Sequence, residues 1–129
     1  MERSRDWMEQ AQWDLLHAKG DIEQKFYDWA CFSAQQAAEK AVKAALPKIG
    51  IEAWGYSVAD LLEELMFHPA PVELKEAAFE LDKAYIPARY PDAHPTGSPS
   101  RRYTKKEAER LVSDAGQILL FCQDILSSL

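Results

Sequence analysis

Hydrophobic positions recur with a helical period along most of this chain. Between about Arg5 and Ile22, apolar residues fall every three or four positions, which is the spacing of one face of a helix. These positions are Trp7, Met8, Ala11, Leu15, Ala18 and Ile22. Trp13 lies off this stripe, so we expect it to face a second neighbour or a partner subunit. The pattern predicts a first amphipathic helix.

The second predicted helix is rich in alanine. It should run from about Asp28, a residue type that caps helix N-termini, to near Leu46, where Pro47 and Gly50 follow. Its small side chains share one stripe, formed by Ala30, Ala34, Ala37, Ala41 and Ala44. Because small side chains let another helix approach closely, we expect this helix to be central and to contact several neighbours.

Three further helices complete the pattern. Ser57 is the predicted N-cap of a short helix over 58–66, and a fourth helix should run from Val72 to about Ala84. The last helix should open at Thr104, because Glu107 stands three residues later, the spacing of a capping box. Its predicted core positions are Ala108, Leu111, Ala115, Ile118, Cys122 and Ile125. The fold class is therefore all-α: an antiparallel up-and-down bundle of four to five helices with a proline-rich loop before the last one.

Length and charge narrow the function classes. The 129 residues suffice for one domain, 1–129, with its own core. A net charge of −6 argues against high-affinity binding of nucleic acid by the chain alone. No apolar run approaches the roughly 20 residues of a membrane span, and no signal peptide is apparent.

Cys31 and Cys122 are expected to be buried thiols in a reducing, cytoplasmic location. No Cys or His pair has zinc-ligand spacing, so neither a metal nor another cofactor is predicted.

The candidate site is the long loop over 85–103. It contains Pro87, Pro91, Pro95 and Pro99, which prevent a continuous α-helix. Long loops inside compact domains are uncommon and often functional. This loop also carries side chains suited to chemistry or ligand binding, namely Tyr85, Arg89, Tyr90, Asp92, His94, Arg101, Arg102 and Tyr103.

Arg89 and His94 are the candidate catalytic pair. A guanidinium always carries charge and can hold a phosphate through two hydrogen bonds, whereas an imidazole titrates near neutral pH and can transfer protons. Asp92 could orient the imidazole or cap the loop. Alternatively, Arg89 anchors the loop to the bundle, for example through Glu39 or Asp82, and His94 is a solvated loop residue.

A basic patch follows the loop. It comprises Arg101, Arg102, Lys105, Lys106 and Arg110. Cations at a helix start favour phosphate, so Arg101, Arg102 and Lys105 are candidate ligand-binding residues. The alternative is a solvated face balanced by Glu107 and Glu109. Tyr85, Tyr90 and Tyr103 could stack on a base or pack the loop against the bundle.

Two separated motifs resemble the HEPN domain (higher eukaryotes and prokaryotes nucleotide-binding). One is the segment 30–43, which is similar to the family's sequence pattern aromatic-x-x-Gln-Gln-x-x-Glu-Lys-x-x-Lys. The matching residues are Phe32, Gln35, Gln36, Glu39, Lys40 and Lys43. The other is Tyr85-Ile-Pro-Ala-Arg-Tyr-Pro-Asp92, with Tyr56-Ser57 at the start of the third helix. The resemblance is to the small stand-alone prokaryotic branch and covers nearly the whole chain.

The resemblance implies a helical bundle that forms a homodimer and often works with a minimal nucleotidyltransferase in a toxin–antitoxin or other two-part system. Active members are metal-independent RNases with an Arg-x(4–6)-His motif that meets its twin across the dimer. Arg89-Tyr-Pro-Asp-Ala-His94 has this spacing, but Tyr90 stands where active members commonly carry a polar residue directly after the arginine. Pro91 in addition predicts a break in any helix through the motif.

Three functions therefore stay open. The first is a nucleotide- or RNA-binding module that acts with a nucleotidyltransferase, and the acidic charge and Pro91 favour it. The second is an RNase toxin that uses Arg89 and His94 across a homodimer. The third is a structural or regulatory oligomer.

Overall fold

Five α-helices form within residues 3–65 and 67–128, which are the residues that this computed structural model describes. They are α1 (Ser4–Glu23), α2 (Tyr27–Lys48), α3 (Val58–Glu63), α4 (Val72–Asp82) and α5 (Lys105–Ser128). Short 3-10 helices at Pro91–Ala93 and Pro99–Arg101 lie in the loop before α5. The all-helical prediction is confirmed. The predicted end of the third helix at Met66 lies outside the described residues.

Helix α2 is the centre of the bundle. It packs against α1, α3, α4 and α5. The predicted alanine stripe is fully buried, and Ala38 and Ala45 on its flanks are buried as well. Since alanine adds little bulk on either side, α2 can contact neighbours around most of its circumference. The prediction of a central helix is therefore confirmed.

The first residues of the helices can be compared with the N-caps predicted from the sequence. Ser57 accepts a hydrogen bond from the backbone N–H of Asp60, and Thr104 accepts one from the N–H of Glu107 at 3.1 Å. Asp28 is not the cap of α2, because the helix already begins at Tyr27 and Phe26 precedes it without a side-chain cap. Local capping chemistry was therefore predictable for α3 and α5 but not for α2.

The predicted face of α5 is buried at all its positions, including Cys122. Trp13 on α1 is 68% exposed, in agreement with its position off the apolar stripe. No helix in the described part of the chain has the length and apolar character to cross a bilayer.

Both cysteine thiols are expected to be unreactive in the folded protein. Burial raises the pKa of Cys31 to about 12, with Glu107 and Asp28 adding to the effect, and burial raises the pKa of Cys122 to about 12. Because the thiolate is the reactive form, labelling by a thiol reagent at pH 8 should be slow until the protein unfolds. Labelling with and without denaturant measures this, and rapid reaction of the folded protein would contradict the burial of both thiols.

Candidate functional site

The loop between α4 and α5 is ordered by turns rather than by a helix. After α4 ends, the N–H of Arg89 donates to the carbonyl of Ile86 at 3.0 Å. The 3-10 helix Pro91–Ala93 then separates Arg89 from His94. The segment from Arg89 to His94 is thus not a continuous α-helix, as the sequence predicted from Pro91, although α4 itself already ends at Asp82.

Asp82, at the end of α4, ties the site to the start of α3. Its carboxylate accepts hydrogen bonds from the Ser57 hydroxyl at 2.9 Å, from the Val58 N–H at 2.8 Å and from the Ala59 N–H at 3.0 Å. These N–H groups have no partner inside α3, because they lie in its first turn. One carboxylate therefore completes the α3 cap and fixes the residues next to Tyr56.

The glutamine and glutamate residues of the α2 motif also stabilise the chain next to Tyr56. The buried Gln35 donates from Nε2 to the carbonyl of Tyr56 at 2.8 Å, and its own oxygen accepts from Gln36 Nε2 at 2.8 Å. Glu39 pairs with Lys43 at 3.2 Å. The α2 residues that match the family's sequence pattern thus form a hydrogen-bond network. This network fixes the connection between α2 and α3 at Tyr56.

Arg89 is anchored on aromatic rings. Its Nε donates to the carbonyl of Tyr85 at 2.9 Å. The guanidinium carbon lies 4.3 Å from the centroid of Phe32, 4.8 Å from that of Tyr85 and 5.0 Å from that of Tyr90. These distances are those of cation–π contacts. Glu39 and Asp82, the anchors considered from the sequence, bond elsewhere, so the anchor is an aromatic one.

His94 has a fixed orientation. Its Nε2 lies 2.6 Å from the carbonyl oxygen of Pro87, and because a carbonyl only accepts, this nitrogen carries the proton. Nδ1 is then the nitrogen that can accept a proton. The ring meets Tyr103 edge-on, with centroids 6.2 Å apart. Burial, followed by the proximity of Cys31 and Glu107, raises the pKa of Tyr103 to about 12, so its phenol stays neutral and can donate a hydrogen bond.

A polar pocket of about 440 Å³ opens beside His94, and we call it the His94 pocket. It is lined by Glu80, Lys83, Ala84, His94, Arg102, Tyr103, Glu107, Arg110 and Leu111. Three of these side chains are cationic and two are anionic, so the lining is net positive in an acidic protein.

The cations of the His94 pocket differ in their pairing. Glu80 binds Lys83 at 2.7 Å and Arg110 at 3.1 Å, and these contacts, with the Lys83 hydrogen bond first, lower the pKa of Glu80. Arg102 instead donates from Nε to the carbonyl of Thr96 at 2.8 Å, and its Nη2 bonds the same residue. Among the lining residues, Arg102 and His94 thus have no carboxylate partner in the described part of the chain.

The structure brings some candidate residues together and leaves others apart. His94, Arg102 and Tyr103 share the His94 pocket, whereas Tyr85 and Tyr90 surround Arg89. Asp92, Arg101 and Lys105 are exposed and line neither group. Arg89 and His94 make no direct hydrogen bond within the described residues. The residues missed from the sequence are Trp29, Phe32, Tyr56, Glu80 and Lys83, and they come from α2, the α2–α3 connection and α4.

Metal ligation has no support in residues 3–65 and 67–128, where no group of three or more His, Cys, Asp or Glu side chains could hold an ion.

Comparisons with solved structures agree with the helical fold. The chain superimposes on TT1696 of Thermus thermophilus with a TM-score of 0.94 and 50% identity, over 97% of this chain and 99% of that one. A HEPN domain protein of Thermotoga maritima, tm0613, gives a TM-score of 0.79 and 54% identity, over 96% and 99% of the two chains. The archaeal HEPN homologue ST0689 gives 0.83 and 39%, over 96% and 98%.

A more distant similarity adds a functional name. "Putative toxin MJ1304" of Methanocaldococcus jannaschii is 26% identical over 130 residues, which cover 93% of this chain and 86% of that protein. The family model described as the HEPN domain matches residues 4–125. Since this match spans nearly the whole helical bundle, the chain belongs to the HEPN domain family.

Proposed function

We propose that this protein is a toxin-like HEPN component that binds a phosphate-bearing ligand, a nucleotide or RNA, at the His94 pocket and acts with a minimal nucleotidyltransferase. One observation carries the binding proposal: His94, Arg102 and Tyr103 converge on a net-positive pocket in a protein whose net charge is −6. A local positive site in an acidic surface attracts an anion to one place rather than to the whole molecule.

The donors in the His94 pocket suit a phosphate. Arg102 supplies a guanidinium and Tyr103 a neutral phenol, and Lys83 adds an ammonium on a side chain that lines the pocket and is 76% exposed. Glu80 pairs with Lys83 and Arg110. A bound phosphate would compete with Glu80 for these cations, which makes binding sensitive to salt.

The proposals of a toxin-like role and of a nucleotidyltransferase partner are supported by the similarity to HEPN proteins. The family resemblance implies a two-part system, and the archaeal relative is named as a toxin. The partner fits the exposed tryptophans, because Trp7, Trp13, Trp29 and Trp54 are all at least 37% exposed. They would equally fit the homodimer that the family resemblance implies.

RNA cleavage is the second candidate function, and the geometry of His94 favours it. Its Nε2 proton is bound to the Pro87 carbonyl, so Nδ1 is left to act as a base. Arg89 uses only Nε in a hydrogen bond to the described residues, and its two terminal nitrogens stay available for a phosphate. A homodimer would bring the two Arg89–His94 pairs together, as the resemblance implies.

A binding experiment tests the proposal. We expect Lys83→Ala with Arg102→Ala to weaken binding of a labelled single-stranded RNA 12-mer by at least about tenfold, because two cationic contacts are lost. The salt dependence, as log Kd against log salt, should become shallower by about 0.7 for each cation that contacted a phosphate. Fluorescence anisotropy at several salt concentrations measures both quantities.

The matched control removes two cations elsewhere. Arg5→Ala with Lys19→Ala changes the net charge equally, and both residues are exposed on α1 away from the His94 pocket. If both double variants lost RNA affinity equally, the loss would come from the change in net charge and not from the His94 pocket. Failure of the folded wild type to bind RNA or nucleotide would favour the third function, a structural or regulatory oligomer.

A further inference from the structure

A long groove runs between α1 and α5, and we call it the α1–α5 groove. It has two adjoining sections of about 480 Å³ and about 450 Å³, which share Gln12 on α1. The residues that line it come from α1, α5 and the end of α2. Arg5 and Lys19 mark its ends on α1, so its length is about 21 Å. The α1–α5 groove is therefore long enough for about four turns of another helix.

The section between the middles of the two helices is apolar. Among its described lining residues Lys19 alone is charged, and two leucines from each helix line it, namely Leu15, Leu16, Leu119 and Leu120. Leu16 is 61% exposed and Leu120 62%, and Trp13, one turn before Leu16, is 68% exposed. The centres of protein interfaces are likewise apolar and depleted of charged residues. An exposed apolar surface of this kind indicates contact with another molecule.

Gly116 leaves the floor of the α1–α5 groove open. A Cβ atom at this position would meet Leu15 Cδ2 at 4.0 Å, which is an ordinary van der Waals distance. The packing of α1 on α5 therefore does not require a glycine, although glycine inside a helix is less favourable than alanine. The missing side chain instead allows another molecule to approach the backbone of α5 closely.

The charges of the α1–α5 groove favour one kind of partner. Cations outnumber anions among its described lining residues, with Arg5, Lys19 and Lys48 against Glu9. Arg5 and Lys19 form no ion pair with the described residues of the chain. If two copies met here with their α1 helices antiparallel, Arg5 of one copy would approach Lys19 of the other, and this repulsion opposes association. Acidic side chains beside an apolar face would be attracted instead.

We propose that the α1–α5 groove binds an amphipathic helix of another protein, with apolar side chains between Leu16 and Leu120 and acidic side chains next to the cations at the two ends. Helices that bind in grooves place one apolar stripe against the floor and leave their charged flanks at the rim. The α1–α5 groove shares no lining residue with the His94 pocket in the described part of the chain. The proposal therefore goes beyond ligand binding at the His94 pocket and can be tested independently of it.

A designed peptide tests the apolar contacts. The probe is a labelled helix of about 18 residues with leucines on one face and glutamates on both flanks. Its binding to the whole protein is followed by fluorescence anisotropy, and we expect a Kd below about 100 μM. Leu16→Gln and Leu120→Gln should each weaken binding by about 5- to 30-fold, because each removes one apolar contact. Phe79→Gln is the matched control, since Phe79 is 60% exposed on α4 outside the groove.

Two substitutions of Gly116 separate blocking of the groove from damage to the fold. Gly116→Leu should weaken peptide binding by at least about tenfold, because its side chain fills the floor. Gly116→Ala should cause a smaller loss, and it should raise the Tm because alanine fits at this position and favours the helix. A folded Gly116→Leu protein that binds the peptide as tightly as the wild type would contradict the proposal.

The cations are tested with two reciprocal double variants. Arg5→Ala with Lys19→Ala should weaken binding of the acidic peptide by about 3- to 10-fold and leave RNA binding unchanged. Lys83→Ala with Arg102→Ala should weaken RNA binding and leave peptide binding unchanged. A loss of both activities in either double variant would contradict the independence of the two surfaces.

Three further outcomes would overturn the proposal. The first is no binding of the amphipathic peptide, or equal binding of a peptide of the same composition whose leucines are spread around the helix. The second is equally tight binding of a version with lysine in place of glutamate, which would contradict an acidic partner. The third is a wild-type dimer that Leu16→Gln dissociates in sedimentation, which would assign the α1–α5 groove to a second copy of this chain. None of these outcomes would change the proposal of ligand binding at the His94 pocket.

Discussion

Metal-free RNA cleavage is expected to fall by about 10²- to 10⁴-fold when His94 is replaced with alanine, if cleavage is this protein's activity. The Pro87 carbonyl holds the Nε2 proton, so Nδ1 is the nitrogen that would take the 2′-hydroxyl proton. The measurement is cleavage of a mixed RNA pool by purified protein with EDTA present.

Arg89 should matter to cleavage for a different reason. Arg89→Ala removes the charge that would stabilise the developing phosphorane, whereas Arg89→Lys keeps the charge but loses the planar contact with Phe32, Tyr85 and Tyr90. We therefore expect the lysine variant to be impaired as well. Comparing the two variants distinguishes the contribution of the planar guanidinium from that of its positive charge.

His17→Ala is the control for the histidine variant, since His17 lies on α1 and bonds Ser33 at 3.0 Å away from the loop. Cleavage that persists in folded His94→Ala would assign the base to another residue or to a contaminating nuclease. A folded wild type that cleaves nothing would remove the RNase candidate and leave ligand binding. Cleavage that is lost in both loop variants would show that the Pro91-interrupted geometry is competent.

The helical core was predictable because its signal is local and repeated. In α5 every predicted inward position is buried, since a period of 3.6 residues forces residues such as Leu111 and Ile118 onto one face. The alanine stripe of α2 likewise identified the central helix. The start of α2 was predicted to within one residue, but Asp28 is not its cap, because the helix begins at Tyr27 and Asp28 already lies in the first turn.

The site was less predictable because its contacts join distant parts of the chain. The proline pattern located the loop, but nothing near Arg89 in sequence indicates that Phe32 from α2 lies under its guanidinium. The basic patch is another case. Arg110 was counted in the basic patch with Glu107 and Glu109 as its possible partners, yet it binds Glu80, which lies 30 residues earlier. Charge counted along a segment therefore overstates the positive potential that the folded surface presents.

Asp82→Ala is expected to lower the free energy of unfolding by about 2–4 kcal/mol. The substitution removes three hydrogen bonds to a carboxylate and leaves the first N–H groups of α3 without their partner. Helix α3 has only six residues, so it cannot persist without its cap and its packing. Urea unfolding followed by circular dichroism measures the loss. Asp82→Asn, which keeps one acceptor oxygen, should lose less.

Asp92→Ala provides the matched control, because Asp92 is an exposed carboxylate in the loop that follows α4 and should change stability by less than about 0.5 kcal/mol. The same carboxylate of Asp82 fixes the residues beside Tyr56, so Asp82→Ala should also loosen the Tyr56–Tyr85 stack and raise tyrosine accessibility in the folded state. A loss of stability under about 0.5 kcal/mol would mean that Ser57 and the Gln35 bond hold α3 by themselves. A large loss with an unchanged tyrosine environment would separate the α3 cap from the Tyr56–Tyr85 stack, and the two would then be independent parts of the fold.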